Sequence, residues 1–175
     1  MAAKFRYNHK DVKLPEDIDS IYLGRAFTAF ERLKDVYDGI TPYIPDDYYI
    51  LVLTFERFYK GVYIELLKTD DPELDENKTA QELTGSNHYF NSILVKIKNF
   101  IPIAANKEGE DVVLKNCYEI QKRGTAARFS TEFTIEEFRS DFRRLEMSMA
   151  RITKGLEDYL EKVKHEAMDE DLEYW

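Results

Sequence analysis

The chain has 175 residues, 43% of them apolar, and a formal charge of -9: enough for one domain with a real core, hiding roughly two-thirds of its unfolded surface. That charge excludes a general binder of duplex DNA, which draws on Lys and Arg to neutralise phosphates. No apolar run approaches the roughly 20 residues of a membrane span, which argues against a membrane partner.

The first segment, MAAKFRYNHKDVK, lacks the apolar stretch of a signal peptide, so the expectation is a cytoplasmic protein. Residues 1–15 read as a basic, solvated arm carrying Lys4, Arg6, Lys10 and Lys13 against Asp11. Residues 16–165 form the expected helical domain, and 166–175 an acidic tail.

Seven glycines, five prolines and few alternating runs leave little room for hairpins, whereas apolar residues recur at spacings of three and four. The expected fold is all-α, an antiparallel bundle of four to five helices ending in a long heptad-patterned helix. A first helix is expected from about Glu16 to Asp38, with Ile21, Phe27, Phe30, Leu33 and Val36 or Tyr37 as its buried stripe and Gly39 as its stop. In ITPYIPDD the prolines break the chain, and Asp46 or Asp47 can cap the next helix.

The second helix contains LVLTFERFYKGVYIELLK, Leu51 to Lys68. At about 100° per residue, Thr54, Arg57, Gly61, Glu65 and Lys68 share an arc of roughly 80°, the expected wet side, and apolar residues fill most of the rest. This is the expected central helix. Glu56 and Lys60 lie outside that arc, on a side that faces other helices. Buried charges must be paired, and Glu followed by Lys at four residues can pair with itself. A self-compensating pair is the favoured reading; a pocket in which Lys60 meets an anion is the alternative.

TDDPELDENKTAQELTGS reads as an acidic surface loop, more disordered than functional, with room for one short helix around Thr79 to Leu83. A third helix is expected from Asn87 to about Ile101, closed by Pro102. His88 falls on its side opposite Phe90, Leu94, Ile97 and Ile101, as an exposed or capping histidine would. NKEGED then reads as a turn, a fourth helix covers about Asp111 to Lys122, and RGTAARFST breaks it.

Thr134 and Glu137 form a capping box ahead of the last helix. From Ile135 through Phe138, Phe142, Leu145, Met149, Ile152, Leu156, Tyr159 and Val163, spacings of three and four alternate without a miss, which calls for a long, shallow-angled seam. Some 30 residues give about 45 Å at 1.5 Å per residue, so this helix should outrun its neighbours and pair with a second copy, making a homodimer. Arg139 and Arg143 lie one turn apart on it, a spacing suited to a phosphate or an acidic partner, although intrahelical pairing with Glu136, Asp141 and Glu146 accounts for them more simply.

The lone Cys117 cannot close an internal bridge and reads as a small core residue. Three scattered histidines do not give metal-ligand spacing, and neither a P-loop nor a dinucleotide glycine motif is present, so no cofactor is expected.

The run of Glu56, Tyr59 and Lys60 on one helix, followed by His88 with Phe90, Ile93 and Leu94, and then by LKNCYEIQKRG and TAARFSTEFTIEEF, resembles the HEPN (higher eukaryotes and prokaryotes nucleotide-binding) domain over about Ile50 to Val163. The resemblance implies a four- or five-helix bundle, often dimeric, with roles in RNA metabolism, toxin-antitoxin systems or defence. It places a ligand cleft near Glu56, Lys60, His88, Arg123 and Arg128. Ribonuclease members of that family carry an Arg followed four to six residues later by a His. Here no His follows Arg123 or Arg128, so the resemblance implies a non-catalytic module binding a nucleotide, RNA or partner protein. An acidic inhibitor that occupies a basic site on another protein is the second expectation, and a ribonuclease using His88 with Arg123 the third.

Overall fold

A computed structural model describes residues 12–84, 89–127 and 133–173. Among them it is all-helical, without a strand. The helices are α1 (Ile21–Tyr37), α2 (Pro45–Leu67), α3 (Glu76–Thr84), α4 (Asn91–Lys98), α5 (Lys107–Ala127) and α6 (Ile135–Glu173). His88 and Arg128 lie outside the described residues.

Helix α1 starts later than Glu16, because residues 16–17 make a turn and Ser20 is the N-cap, its side chain accepting from the Leu23 N–H at 3.3 Å. At the other end Gly39 takes φ +78°, its N–H donating to the Val36 carbonyl while the Ile40 N–H donates to that of Asp35. This paired closure is the Schellman motif, and it needs a residue tolerant of positive φ. Leu23, Ala26, Phe27, Phe30, Leu33 and Val36 are buried. Ile21, expected in that stripe, is instead 55% exposed at the rim of a groove. Val12 is buried too, so core packing begins before residue 16.

Helix α2 begins with Pro45 at N1, and the Asp47 carboxylate reaches back to accept from the Ile44 N–H at 2.9 Å. It packs against α1, α3, α4, α5 and α6, and is the central helix in fact. The arc expected to be wet is where α1 docks. Thr54 and Gly61 are buried, and a Cβ placed on Gly61 would lie 2.6 Å from Leu23 Cγ and 2.9 Å from the Leu23 backbone nitrogen. A small residue in a polar arc marks a close helix approach here rather than solvent.

The acidic segment after α2 holds α3, which starts earlier than Thr79. Lys68 joins the two, bonding to Glu65 at 3.3 Å and to Glu76. Helix α4 is shorter than expected: the Phe90 and Asn91 amides at its start donate to the Gln121 side-chain oxygen at 2.7 and 2.9 Å. NKEGED is not a turn. Asn106 Oδ1 accepts from the Gly109 N–H at 2.8 Å and caps α5, which also continues past Lys122 through Ala127. A Cβ on Gly124 would meet Val52 Cγ1 at 2.3 Å, so α5 also approaches α2 closely at this point.

Thr134 Oγ1 accepts from the Glu137 N–H at 3.3 Å at the start of α6. Phe138, Phe142, Leu145, Met149, Ile152 and Leu156 form its buried seam. The helix has 39 residues, about 58 Å, and does not stop at residue 165: residues 166–173 continue it. From Glu161 to Asp171 every residue except Val163 is exposed, so the end of α6 outruns the bundle. No helix among the described residues is long and apolar enough to cross a membrane.

Candidate functional site

The Glu56 and Lys60 side chains pair at 3.2 Å, nearly buried at 6% and 12% exposure. The four-residue offset that α2 provides is what joins them. They line neither the cleft at Arg123 nor the cavity between α5 and α6.

Arg123, near the end of α5, is held in a network centred on Asp141. The Tyr48 hydroxyl donates to Asp141 Oδ2 at 2.6 Å, Arg123 Nη2 contacts both Asp141 oxygens at 2.9 and 3.0 Å, and Arg123 Nε donates to the Tyr48 oxygen at 2.9 Å. Arg144 Nη1 adds a bond to Oδ1 at 2.6 Å. Phe133 stacks on Tyr48 with ring centroids 4.3 Å apart. Burial and the Asp141 carboxylate push the Tyr48 phenol well above its ordinary range, so it stays a donor. One carboxylate thereby fastens α2, α5 and α6 together, and Arg123 has a structural task. Asp141 also forms part of the expected intrahelical pairing, but with Arg144.

Arg139 and Arg143 are both exposed. Arg143 Nε donates to the Tyr37 hydroxyl at 2.6 Å and its guanidinium lies 5.8 Å from that ring's centroid, tying the end of α1 to α6. The two arginines do not converge on a common partner among the described residues.

What sequence reading missed is a cavity of about 350 Å³. Helices α5 and α6 both pack on α2 without closing on each other, and the gap between them is floored by Phe55 and Tyr59 and walled by Val113, Cys117 and Ile120. Ala104, Ala105 and Asn106 close one end. Its polar groups are few. The Tyr59 hydroxyl is hydrogen-bonded to Ser148 Oγ at 3.2 Å. Asn116, Arg144 and Arg151 stand at the walls, and Arg151 makes no ion pair or side-chain hydrogen bond among the described residues. Met147 and Val112, 57% and 56% exposed, flank the opening. The one available signal was Arg144, Met147, Ser148 and Arg151 recurring at three and four residues on a face of α6 away from its seam.

Neither the Cys117 thiol nor the Tyr59 phenol is poised as a nucleophile. Burial pushes the Cys117 thiol up to about 12 and raises the Tyr59 hydroxyl well above its usual value. Among the described residues no group of three His, Cys, Asp or Glu side chains is placed to hold a metal. No family model, curated protein or solved structure matches the chain.

Proposed function

We propose that the protein is a non-catalytic binding module, HEPN-like in its order of helices, whose ligand enters the cavity between α5 and α6. The observation that carries this reading is an apolar cavity of about 350 Å³ with an uncommitted arginine, Arg151, at its wall. Ligand pockets are typically roughly 300–1,000 Å³, mostly apolar, with a few polar groups that fix orientation. An apolar or aromatic body with an anionic group fits that chemistry. A nucleotide is such a ligand: its base would lie along Phe55 and Tyr59 and its phosphate would reach Arg151, with Arg144 beside it. The mutual neutralisation of Glu56 with Lys60, and of Arg123 with Asp141, supports binding over catalysis, because neither set leaves a free base.

Thermal-shift and calorimetric titration with a panel of nucleotides and short RNAs tests this. Binding should be lost in Val113→Trp, which fills the cavity, and weakened about tenfold in Arg151→Gln, a loss typical of one charge-assisted contact. No binding by any member of the panel refutes the nucleotide reading, and binding that survives Val113→Trp moves the site elsewhere. The second reading, an acidic interaction protein, is favoured by the exposed acidic end of α6.

A further inference from the structure

A groove on the opposite side of α2, between it and α1, concentrates positive charge in a chain that is otherwise acidic. Arg25 and Arg32 come to it from α1, Arg57 from α2, and Ile21, Ile50 and Leu53 supply an apolar strip. None of the three arginines forms an ion pair or side-chain hydrogen bond among the described residues, although Glu31 and Asp35 are their neighbours on α1. Elsewhere the acidic and basic side chains pair freely, as in Lys68 with Glu65 and Glu76, Lys98 with Glu110 and Arg144 with Asp141. Three uncommitted guanidiniums beside exposed apolar surface are suited to an acidic, amphipathic segment.

The chain carries such a segment. Residues 166–173, EAMDEDLE, have five acidic side chains and no basic one, interrupted by Ala167, Met168 and Leu172. They are already helical, and residues 166–171 stand clear of the bundle, Met168 56% exposed. Since α6 is one unbroken helix from Ile135 to Glu173, its end cannot fold back onto its own α1–α2 groove. A second copy has no such restriction, and if each copy offers both tail and groove the arrangement closes with twofold symmetry.

The geometry points to a reciprocal dimer in which the acidic end of α6 from each copy lies in the arginine groove between α1 and α2 of the other. The exposure of Ile21, a residue patterned like core, then has a cause: it meets Met168 and Ala167 of the second copy. Desolvation at the contact makes the charge pairing stronger than on an open surface, and both halves form together.

The test is a charge swap in the full-length chain, read by sedimentation velocity over a concentration series at low and at molar salt. The wild type should dimerise and dissociate as salt screens the contact. Arg25→Glu with Arg57→Glu, and separately Asp169→Lys with Glu170→Lys and Asp171→Lys, should each raise the dissociation constant by at least about a hundredfold, since like charges then face each other twice per dimer. Combining both sets in one chain should restore the dimer, an outcome that misfolding or a general charge effect would not produce. A wild type that stays monomeric overturns the proposal, including the case where it binds RNA or another polyanion through the groove. A dimer lost in the tail variant but kept in the arginine variant overturns it too, because the tail then pairs elsewhere. Ligand binding in the α5–α6 cavity is independent of all these outcomes.

Discussion

Replacing glycine by alanine at positions 24, 61 and 124 makes the same chemical change in three helices, and the structure assigns the results opposite signs. Alanine gains about 1 kcal/mol over glycine in a helix interior, from backbone entropy alone. At Gly24 a Cβ would have nothing within 4 Å, so that gain should appear nearly whole, about 0.5–1 kcal/mol. At Gly61 the new methyl would stand 2.6 Å from Leu23 Cγ and 2.9 Å from the Leu23 nitrogen, and a backbone atom moves only if α1 moves with it. At Gly124 the obstacle is Val52, a β-branched side chain with little rotamer freedom, at 2.3 Å. Overpacking costs about 1–3 kcal/mol and exceeds the propensity gain at both sites. Gly61→Ala should therefore lose about 2 kcal/mol net, and Gly124→Ala about 1 kcal/mol or more. Urea unfolding followed by circular dichroism reads these differences as shifts in midpoint at constant slope. A second comparison isolates the contact: Val52→Ala and Gly124→Ala together should be more stable than the sum of the two single losses, by about 1 kcal/mol. If Gly61→Ala or Gly124→Ala is as stable as Gly24→Ala, the close approach of α1 and α5 to α2 is wrong.

Four more outcomes rest on the charged and polar interior. Asp141→Ala strands the buried Tyr48 hydroxyl and two guanidiniums; removing one partner of a buried pair costs about 3–5 kcal/mol. The Arg123 and Arg144 side chains keep 34% and 40% of their exposure, so solvent screening brings the expected loss to about 2–3 kcal/mol in denaturant melts, and a loss under about 1 kcal/mol would show that the network does not fasten the helices. Lys60→Met should destabilise the fold more than Lys60→Met combined with Glu56→Gln, because the double change removes the buried charge along with its cation; the reverse order would argue that the pair serves a ligand. The Cys117 thiol, raised from 9 to about 12, holds roughly a thousandth of the ordinary thiolate at pH 8, so iodoacetamide should label the native protein about three orders of magnitude more slowly than the unfolded chain, and rapid native labelling would refute the assignment. A folded-state value above the unfolded one favours the folded protein fully below about pH 9, and that contribution is lost as pH rises toward about 12. Cys117→Ala should accordingly flatten the alkaline limb of the stability profile.

Local patterns carried the fold far. The seam of α6 from Phe138 to Leu156, the stop at Gly39 and the break at Pro45 are written in local spacing and each holds. Ile135, Tyr159 and Val163, at the ends of the expected seam, are only half-buried. Errors arose where a local signal had a distant cause. Thr54, Arg57 and Gly61 look like a solvent arc until α1 is laid across it; Thr54 Oγ1 then donates to the Ile50 carbonyl at 2.7 Å within its own helix and needs no water. Helix ends shifted for the same reason, since the first amides of α4 are satisfied by Gln121, 30 positions downstream of Asn91. Of the candidate site, the Glu56–Lys60 pair was legible because a four-residue offset is local. The Asp141 hub was not: Tyr48 lies 93 positions away and becomes a partner only through packing. The cavity was least legible, because it arises from two helices that both seat on α2 and make little contact with each other beyond the tie of Arg123 to Asp141.

The crowding of α2 also sets where the molecule can open. A helix flanked by five others cannot be laid bare by the loosening of any one of them, so its central amides should exchange hydrogen with solvent only through global unfolding. In the monomer the last turns of α6 have no neighbour to hold them and should exchange almost as freely as a peptide, a freedom that docking in the groove of a second copy should reduce. Between these extremes, α5 meets the bundle chiefly through α2 and α4 and is tied to α6 near its end by Arg123 and Asp141, so the stretch that bears Val113 and Cys117, away from that tie, should show intermediate protection. Protection measured along the chain should therefore fall in steps away from α2.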